Sequence, residues 1–178
     1  EKLVAAGYDV MMSRTQNGPY PYVKGDESID KPLPDIVAEA NLFGADYFIS
    51  IHSNANVDGD LVNYPLFLYA GKDDDNISDS YRMAQIAWPR HFEAFGNDKF
   101  WEIMTHGFEP NSHYSQEVPN LRGDESFYGG TGLKVLEGLT CPGYLVEGYF
   151  HTYQPARHRA LNPEWCRQEG IRYFRGIQ

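Results

Sequence analysis

Residues 40–55, ANLFGADYFISIHSNA, decide the predicted fold of this chain. They begin with the end of a helix at residues 35–43, whose apolar side chains recur at helical spacing and which stops at Gly44. Residues 46–52 then form a nearly continuous apolar run of β-prone side chains. Such a run is typical of a strand that is covered on both faces. A helix that leads directly into such a strand indicates an α/β fold.

Further strands and helices are predicted on both sides of this stretch. Strands are expected at residues 8–15, 65–70, 133–136 and 144–147, and helices at residues 80–95 and 163–175, the last capped by Asn162 with Pro163 in its first position. The connection at residues 96–131 is long and rich in glycine, polar and aromatic residues, which favours a functional role. Strands that alternate with helices predict one three-layer α/β/α domain with a largely parallel central sheet.

The composition excludes several classes of protein. The chain has 178 residues and a formal net charge of −10, which argues against a nucleic-acid partner because phosphates require a basic surface. No apolar run approaches the roughly 18 residues that span a bilayer, so no transmembrane segment is predicted. The two cysteines, Cys141 and Cys166, lack the spacing of a metal site and are expected to be unpaired thiols, although a disulfide between them stays open.

Two polar side chains stand at the carboxyl ends of apolar strands, where functional groups gather in α/β sheets. His52 ends the run at residues 48–51, and Glu147 ends the run at residues 144–146. Imidazole is a good zinc ligand, and a carboxylate can deprotonate water, so the pair suits metal-assisted hydrolysis. On spacing alone a purely structural role is favoured, because a strand-end His is often a hydrogen-bonded, half-buried group, a Glu can cap a helix, and no HExxH-type pair joins the two residues.

Three blocks of sequence, in the same order, resemble the zinc-dependent N-acetylmuramoyl-L-alanine amidases, commonly called the type-3 amidases. The first is residues 7–15, GYDVMMSRT. The second is residues 40–55, which match the pattern AN-x-x-x-AD-x-FISIH-x-NA. The third is Val135-Leu136 followed by CPGYLVEGYF at residues 141–150, which resembles the ending VL…P-x-x-LVE-x-GF. The combination covers nearly all the predicted strands.

The resemblance implies roles for two residues. His52 is expected to bind Zn²⁺, and Glu147 is expected to be the catalytic acid–base. The family's other two ligands, a His in a Gly-His-Gly-Gly turn and a Glu early in the first helix, match no residue here. We therefore expect residues 1–178 to be a single amidase catalytic domain without its N-terminal strand and most of its first helix. Departures from the family pattern include Ile36 in place of Arg and Tyr153 in place of Asn.

The implied activity is hydrolysis, by zinc-activated water, of the amide between N-acetylmuramic acid and the L-alanine of the stem peptide. The implied partner is the muramyl peptide of peptidoglycan, and the implied location is extracytoplasmic. Candidate substrate contacts are Asn54, Arg122 and His113. Among the other histidines, His151 follows Glu147 closely enough to approach the site but matches no ligand of the family. His91 and His158 are expected to be surface groups, and a role for His106 in lining the cleft is less favoured.

Two alternatives stay open at this stage. The first is a non-catalytic peptidoglycan-binding module on the same scaffold, against which the presence of both His52 and Glu147 argues, because binding alone needs no general base. The second is a zinc peptidase that cuts within the stem peptide. The sequence does not separate this peptidase from the amidase, because both would use the same metal and base.

Overall fold

The computed structural model describes residues 1–13, 32–55, 66–73, 78–93 and 121–178. Within these ranges the helices and strands follow in the order α1 (Lys2–Ala5), α2 (Leu33–Phe43), β1 (Phe48–Asn54), β2 (Leu66–Tyr69), α3 (Asp79–Glu93), β3 (Leu121–Gly123), α4 (Asp124–Phe127), β4 (Gly143–Phe150), α5 (Gln154–Ala160) and α6 (Pro163–Ile177).

The four strands form one mixed sheet in the order β1-β4-β2-β3. The pairs β1–β4 and β2–β3 are parallel, and only the central pair β2–β4 is antiparallel. Two of the three pairings are therefore parallel, and the predicted α/β class with a largely parallel sheet is confirmed. The strand β4 has a neighbouring strand on each side, and nearly all of its residues are buried, as expected for a strand that is covered on both faces.

The two faces of the sheet carry separate apolar clusters. On one face, the helices α3 and α6 cover a cluster that includes Phe67, Tyr144 and Val146, with Tyr173 packed against it. On the other face, which we call the site face, Leu66, Leu68 and Leu145 pack with side chains of α4 and of the turns at residues 133–139, with these members: Phe127, Leu133, Val135, Leu136 and Leu139. Helices therefore lie on both sides of the sheet, as predicted.

The helix α2 is attached to the site face through the turn that precedes β4. The Asn41 side chain donates to the Gly138 carbonyl at 2.8 Å and accepts from the Thr140 backbone N–H at 2.9 Å. The helix ends at Gly44, whose φ of 70° lies in the left-handed region that glycine tolerates best. This attachment fixes where β1 begins, because only three residues separate Gly44 from Phe48.

Most of the predicted elements are confirmed. The strands predicted at residues 46–52, 65–70 and 144–147 correspond to β1, β2 and β4, and the predicted helices correspond to α2, α3 and α6. The predicted cap is also present, since Asn162 Oδ1 accepts from the Glu164 backbone N–H at 2.9 Å. Cys141 and Cys166 are free thiols. Among the residues that the structure places, no helix is both long and apolar enough to cross a membrane.

Two predicted strands are wrong. Residues 8–13 form no strand, and Tyr8, Val10 and Met12 are exposed; residues 14 and 15 lie outside the described ranges. Residues 133–136 form turns, because the Leu136 and Glu137 N–H groups bond back to the Leu133 carbonyl. The apolar side chains there pack onto the sheet, so their pattern reflects burial and not strand pairing. The short elements β3, α4 and α5 were not predicted.

Candidate active site

The parallel pairing of β1 and β4 brings His52 and Glu147 together. They are register partners, and the ladder up to them runs without interruption from Phe48 opposite Gly143. Partners on adjacent parallel strands lie about 5 Å apart and direct their side chains to the same face of the sheet. Because Leu145 belongs to the apolar cluster of the site face, Glu147, two residues further on, faces the same side.

The Glu147 carboxyl is buried between two strands. Its other register neighbour is Leu66 of β2, which is fully buried, and Glu147 itself is only 8% exposed. Burial disfavours the charged form and raises the pKa of Glu147 from 4.5 to about 7, while a hydrogen bond from the Asn54 side chain offsets part of that rise. At neutral pH the carboxyl is therefore poised between its protonated and ionised forms.

Asn54 is oriented by its own backbone. Its Oδ1 atom accepts the Ala55 backbone N–H at 2.7 Å, which leaves the Nδ2 group as the donor toward Glu147. The second carboxylate oxygen, Glu147 Oε2, is buried and has no hydrogen-bond partner within the described ranges. A buried oxygen in this state is costly unless something else binds to it, such as a water, a substrate or an ion.

His52 is available as a ligand. Its side chain is largely exposed beside the buried Glu147, and the part of the ring that is covered lowers its pKa below 6.5. The imidazole is therefore neutral at physiological pH, which is the form that binds metals through a nitrogen lone pair. The two groups together provide one nitrogen ligand and one carboxyl oxygen that has no hydrogen-bond partner among the residues placed by the structure.

These donors fit part of a zinc site. A catalytic zinc ion takes about three ligands from protein, most often from His, Cys, Asp and Glu. In the portion of the chain that the structure describes, no three such side chains cluster closely enough to hold a metal ion. His52 and Glu147 are compatible with Zn²⁺ in chemistry and placement, and the zinc site itself stays a prediction.

The other residues predicted to line the site are not all brought to it. Asn54 lies beside Glu147, whereas Arg122 lies on β3, which β2 separates from β4. The Arg122 guanidinium pairs with Asp73, with Nε at 2.8 Å and Nη2 at 2.6 Å from Oδ2, and this pair fastens the loop that follows β2. Substrate contact by Arg122 stays a prediction. His113, and with it His106, lies outside the described ranges.

His151 lies at the end of β4, next to Ser53. Its Nδ1 atom is 3.0 Å from Ser53 Oγ, and its backbone N–H donates to the Asn54 carbonyl at 2.8 Å. His151 is therefore joined to the two residues that follow His52. His158 is exposed on α5, as expected for a surface group, and the His91 side chain lies outside the described part of the structure.

A buried acidic residue on the site face was not predicted from the sequence. Asp124 is 2% exposed and accepts two backbone N–H groups, from Gly71 at 2.8 Å and from Leu133 at 2.7 Å. It ties the loop after β2 to the turns on the site face. No local pattern could reveal it, because it follows the three-residue strand β3 inside a stretch with no clear periodicity.

No protein-family model and no curated protein sequence matches this chain. Solved structures are similar to it. An N-acetylmuramoyl-L-alanine amidase from Clostridium difficile 630 aligns with a TM-score of 0.60 and 19% identity, over 84% of this chain and 65% of that one. The catalytic domain of the amidase CwlV from Bacillus (Paenibacillus) polymyxa var. colistinus aligns with a TM-score of 0.59 and 17% identity, over 84% of this chain and 66% of that one.

The amidase Ami1 from Mycobacterium smegmatis gives a TM-score of 0.64 and 17% identity, over 99% of this chain and 68% of that one. The chain thus spans about two thirds of the length of these structures, and 65% of the first. Identities this low establish similarity of fold and nothing finer. Together with the sheet order and helix layers described above, they show that this chain has the α/β fold of N-acetylmuramoyl-L-alanine amidases.

Proposed function

We propose that this chain is the catalytic part of a peptidoglycan hydrolase that cleaves the amide between N-acetylmuramic acid and the L-alanine of the stem peptide. The observation that carries the proposal is the register pairing of His52 with Glu147 on β1 and β4. The fold shared with solved amidases supports the same reading.

Glu147 has the properties that general acid–base catalysis requires. A group with a pKa of about 7 both accepts and donates a proton readily near neutral pH. In the proposed reaction, the oxygen of the attacking water bonds to the amide carbon. One carboxylate oxygen of Glu147 takes a proton from that water at the same time. The same carboxyl then gives that proton to the nitrogen of the leaving L-alanine as the C–N bond breaks. Each proton is accounted for, and Glu147 returns to its starting form.

Asn54 supports this exchange of protons. Its amide donates to the Glu147 carboxyl, and this hydrogen bond stabilises the ionised form that must accept the proton. The buried surroundings favour the protonated form, so the two effects act in opposite directions and hold the pKa near neutrality. Asn54, Arg122 and His113 are also proposed as contacts to the muramyl peptide.

Zinc is the proposed cofactor, and His52 would bind it. When bound, Zn²⁺ polarises a carbonyl and makes water more acidic. The neutral imidazole of His52 supports this assignment, and Glu147 Oε2, which has no hydrogen-bond partner among the described residues, would be the oxygen that accepts a proton from the water. Because the proposed substrate is peptidoglycan, we also propose that the protein acts outside the cytoplasmic membrane.

The non-catalytic alternative is disfavoured by the buried carboxyl. Keeping a carboxyl group in a position where its pKa rises to about 7 is unfavourable for folding, and a module that only binds gains nothing from it. A peptidase that cuts within the stem peptide would use the same two residues. No described feature favours the peptidase over the amidase.

Mass analysis of the products from purified peptidoglycan tests the proposal. The zinc-loaded protein should release stem peptides with a free L-alanine amino group and leave glycan strands with a free lactyl carboxyl group. The Glu147→Gln variant, treated identically, should release neither. Fragments cut between two amino acids of the stem would identify a peptidase, and unchanged peptidoglycan that retains bound protein would identify a binding module.

A further inference from the structure

The pairing of β1 and β4 is interrupted directly after the two candidate catalytic residues. His52 pairs with Glu147, but the next pair joins Asn54 to Phe150. One residue of β1, Ser53, therefore opposes two residues of β4, Gly148 and Tyr149. This is a β-bulge, in which one extra residue is accommodated in one strand, and bulges of this kind are frequent next to active sites.

The directions of the two residues that oppose Ser53 agree with a bulge. A Cβ atom placed on Gly148 would point to α6, where it would lie 3.1 Å from the hydroxyl oxygen of Tyr173. The Tyr149 side chain also faces α6, since its ring meets the Trp165 ring edge-on with centroids 5.4 Å apart. In a regular strand, successive side chains alternate between faces. Here two successive positions share the face opposite the site.

The bulge determines what lies beside the Glu147 carboxyl. Without it, the residue two positions after Glu147, which is Tyr149, would face the site. With it, Tyr149 turns away and hydrogen-bonds to Ser53, and Asn54 stays on the site face within reach of Glu147. The His151 N–H bond to the Asn54 carbonyl, at 2.8 Å, joins the two strands again after the bulge.

The surface beneath the bulge is buried and carries polar groups of α6. Glu169 and Arg172 of α6 are 7% and 4% exposed and form an ion pair with Nη1 and Oε1 2.6 Å apart. Burial holds the pKa of Tyr173 well above its ordinary range, so its hydroxyl stays protonated. Glu169 Oε2 would lie 3.7 Å from a Cβ atom on Gly148. The tight contact of such a Cβ atom would be with the Tyr173 hydroxyl, and glycine lets β4 lie close to that hydroxyl because it has no side chain.

We infer that Gly148 is a positioning residue, which holds Glu147 and Asn54 in their working arrangement because its missing side chain lets the bulge rest against the Tyr173 hydroxyl. This inference builds on the proposed function. A methyl group on Gly148 would meet the hydroxyl at 3.1 Å, and either β4 or Tyr173 must then move by a few tenths of an ångström. Displacements of that size between reacting groups lower turnover more than they lower substrate affinity.

The test uses four variants of the zinc-loaded protein: Gly148→Ala, Tyr173→Phe, the double variant, and Gly170→Ala as the matched control. A Cβ atom on Gly170 meets nothing within 4 Å, so this control adds the same methyl group without a contact. Gly148→Ala should lower kcat roughly 10-fold with KM changed less than about 2-fold. Gly170→Ala should leave kcat and KM at the parent values. Adding Gly148→Ala to Tyr173→Phe should lower kcat much less than adding Gly148→Ala to the parent does.

Amide hydrogen exchange at His151 provides a readout that is independent of amidase activity. The His151 N–H donates to the Asn54 carbonyl directly after the bulge. Its exchange should therefore accelerate in Gly148→Ala and return toward the parent rate in the double variant. If the parent releases no stem peptide but the exchange rates change as expected, the proposed function is wrong, whereas the role of Gly148 in positioning β4 is supported. Unchanged exchange and unchanged kcat in Gly148→Ala, or a double variant no better than Gly148→Ala, would overturn the inference.

Discussion

His52 on β1 and Glu147 on β4 occupy the same register position of a parallel strand pair, and Leu66 of β2 occupies the position on the other side of Glu147. The carboxyl thus has an imidazole on one side and a fully buried aliphatic side chain on the other. This one arrangement accounts for both the burial that raises the pKa of Glu147 and its access to a potential metal ligand.

Glu147→Gln should cut the turnover of muramyl peptide by about 10²- to 10⁴-fold, because Gln keeps the shape of the side chain but cannot accept a proton. Zinc content, measured by elemental analysis, should stay close to the parent value. Glu137→Gln is the matched control, since Glu137 is exposed and pairs with Lys134 at the surface. Near-normal turnover in Glu147→Gln would remove this residue from the mechanism, and loss of zinc would make it a ligand.

His52→Ala should lower zinc content and turnover together, because it removes a metal ligand from the proposed site. The control is His158→Ala, which removes an exposed imidazole on α5. Elemental analysis after gel filtration measures the zinc content, and the release of stem peptide measures turnover. If His52→Ala binds zinc as well as the control does, His52 is not a ligand.

The stability of the metal-free protein should depend on pH through Glu147. Its pKa is about 7 in the folded chain and 4.5 ordinarily, so between these values the folded state binds more protons than the unfolded state. The contribution of Glu147 to the free energy of unfolding therefore falls as pH rises from about 4.5 to 7, by at most about 3 kcal/mol, and is constant above that range.

Urea unfolding in the presence of a chelator checks this sign. Gln does not titrate, so the stability of Glu147→Gln relative to the parent should increase between about pH 5 and pH 8. The lowered pKa of His52 acts in the opposite direction, but it is common to both proteins and cancels to first order in the difference. A difference that is the same at both pH values would show that the pKa of Glu147 is not raised.

Asp124→Asn should destabilise the fold by about 1–3 kcal/mol. The Asp124 carboxylate accepts the backbone N–H groups of Gly71 and Leu133, and an Asn amide must turn its own NH₂ group toward one of them. Asp79→Asn is the control, because its side chain is 77% exposed and lies 3.6 Å from Arg82, so a change within about 0.5 kcal/mol is expected. Equal effects in urea unfolding would refute the assigned role of Asp124.

Local patterns were sufficient for the long elements. In α2, β1, β4 and α6, the apolar periodicity and the end signals at Gly44 and Asn162 agree with the packing that the structure has. The same patterns misled at residues 133–136, where apolar side chains are buried on the sheet by turns. A short apolar run indicates that its side chains are buried, but it does not indicate which hydrogen bonds its backbone makes.

The sequence by itself determined the α/β class, the identity of the polar residues that end β1 and β4, and the resemblance that assigns them a reaction. Only the tertiary structure decided that β2 runs antiparallel to β4 and parallel to β3, that His52 and Glu147 share one register position, and that a bulge at Gly148 turns Tyr149 away from the site. The physical reason is that side-chain periodicity reports burial along one segment, whereas strand order, register and pKa depend on partners distant in the chain.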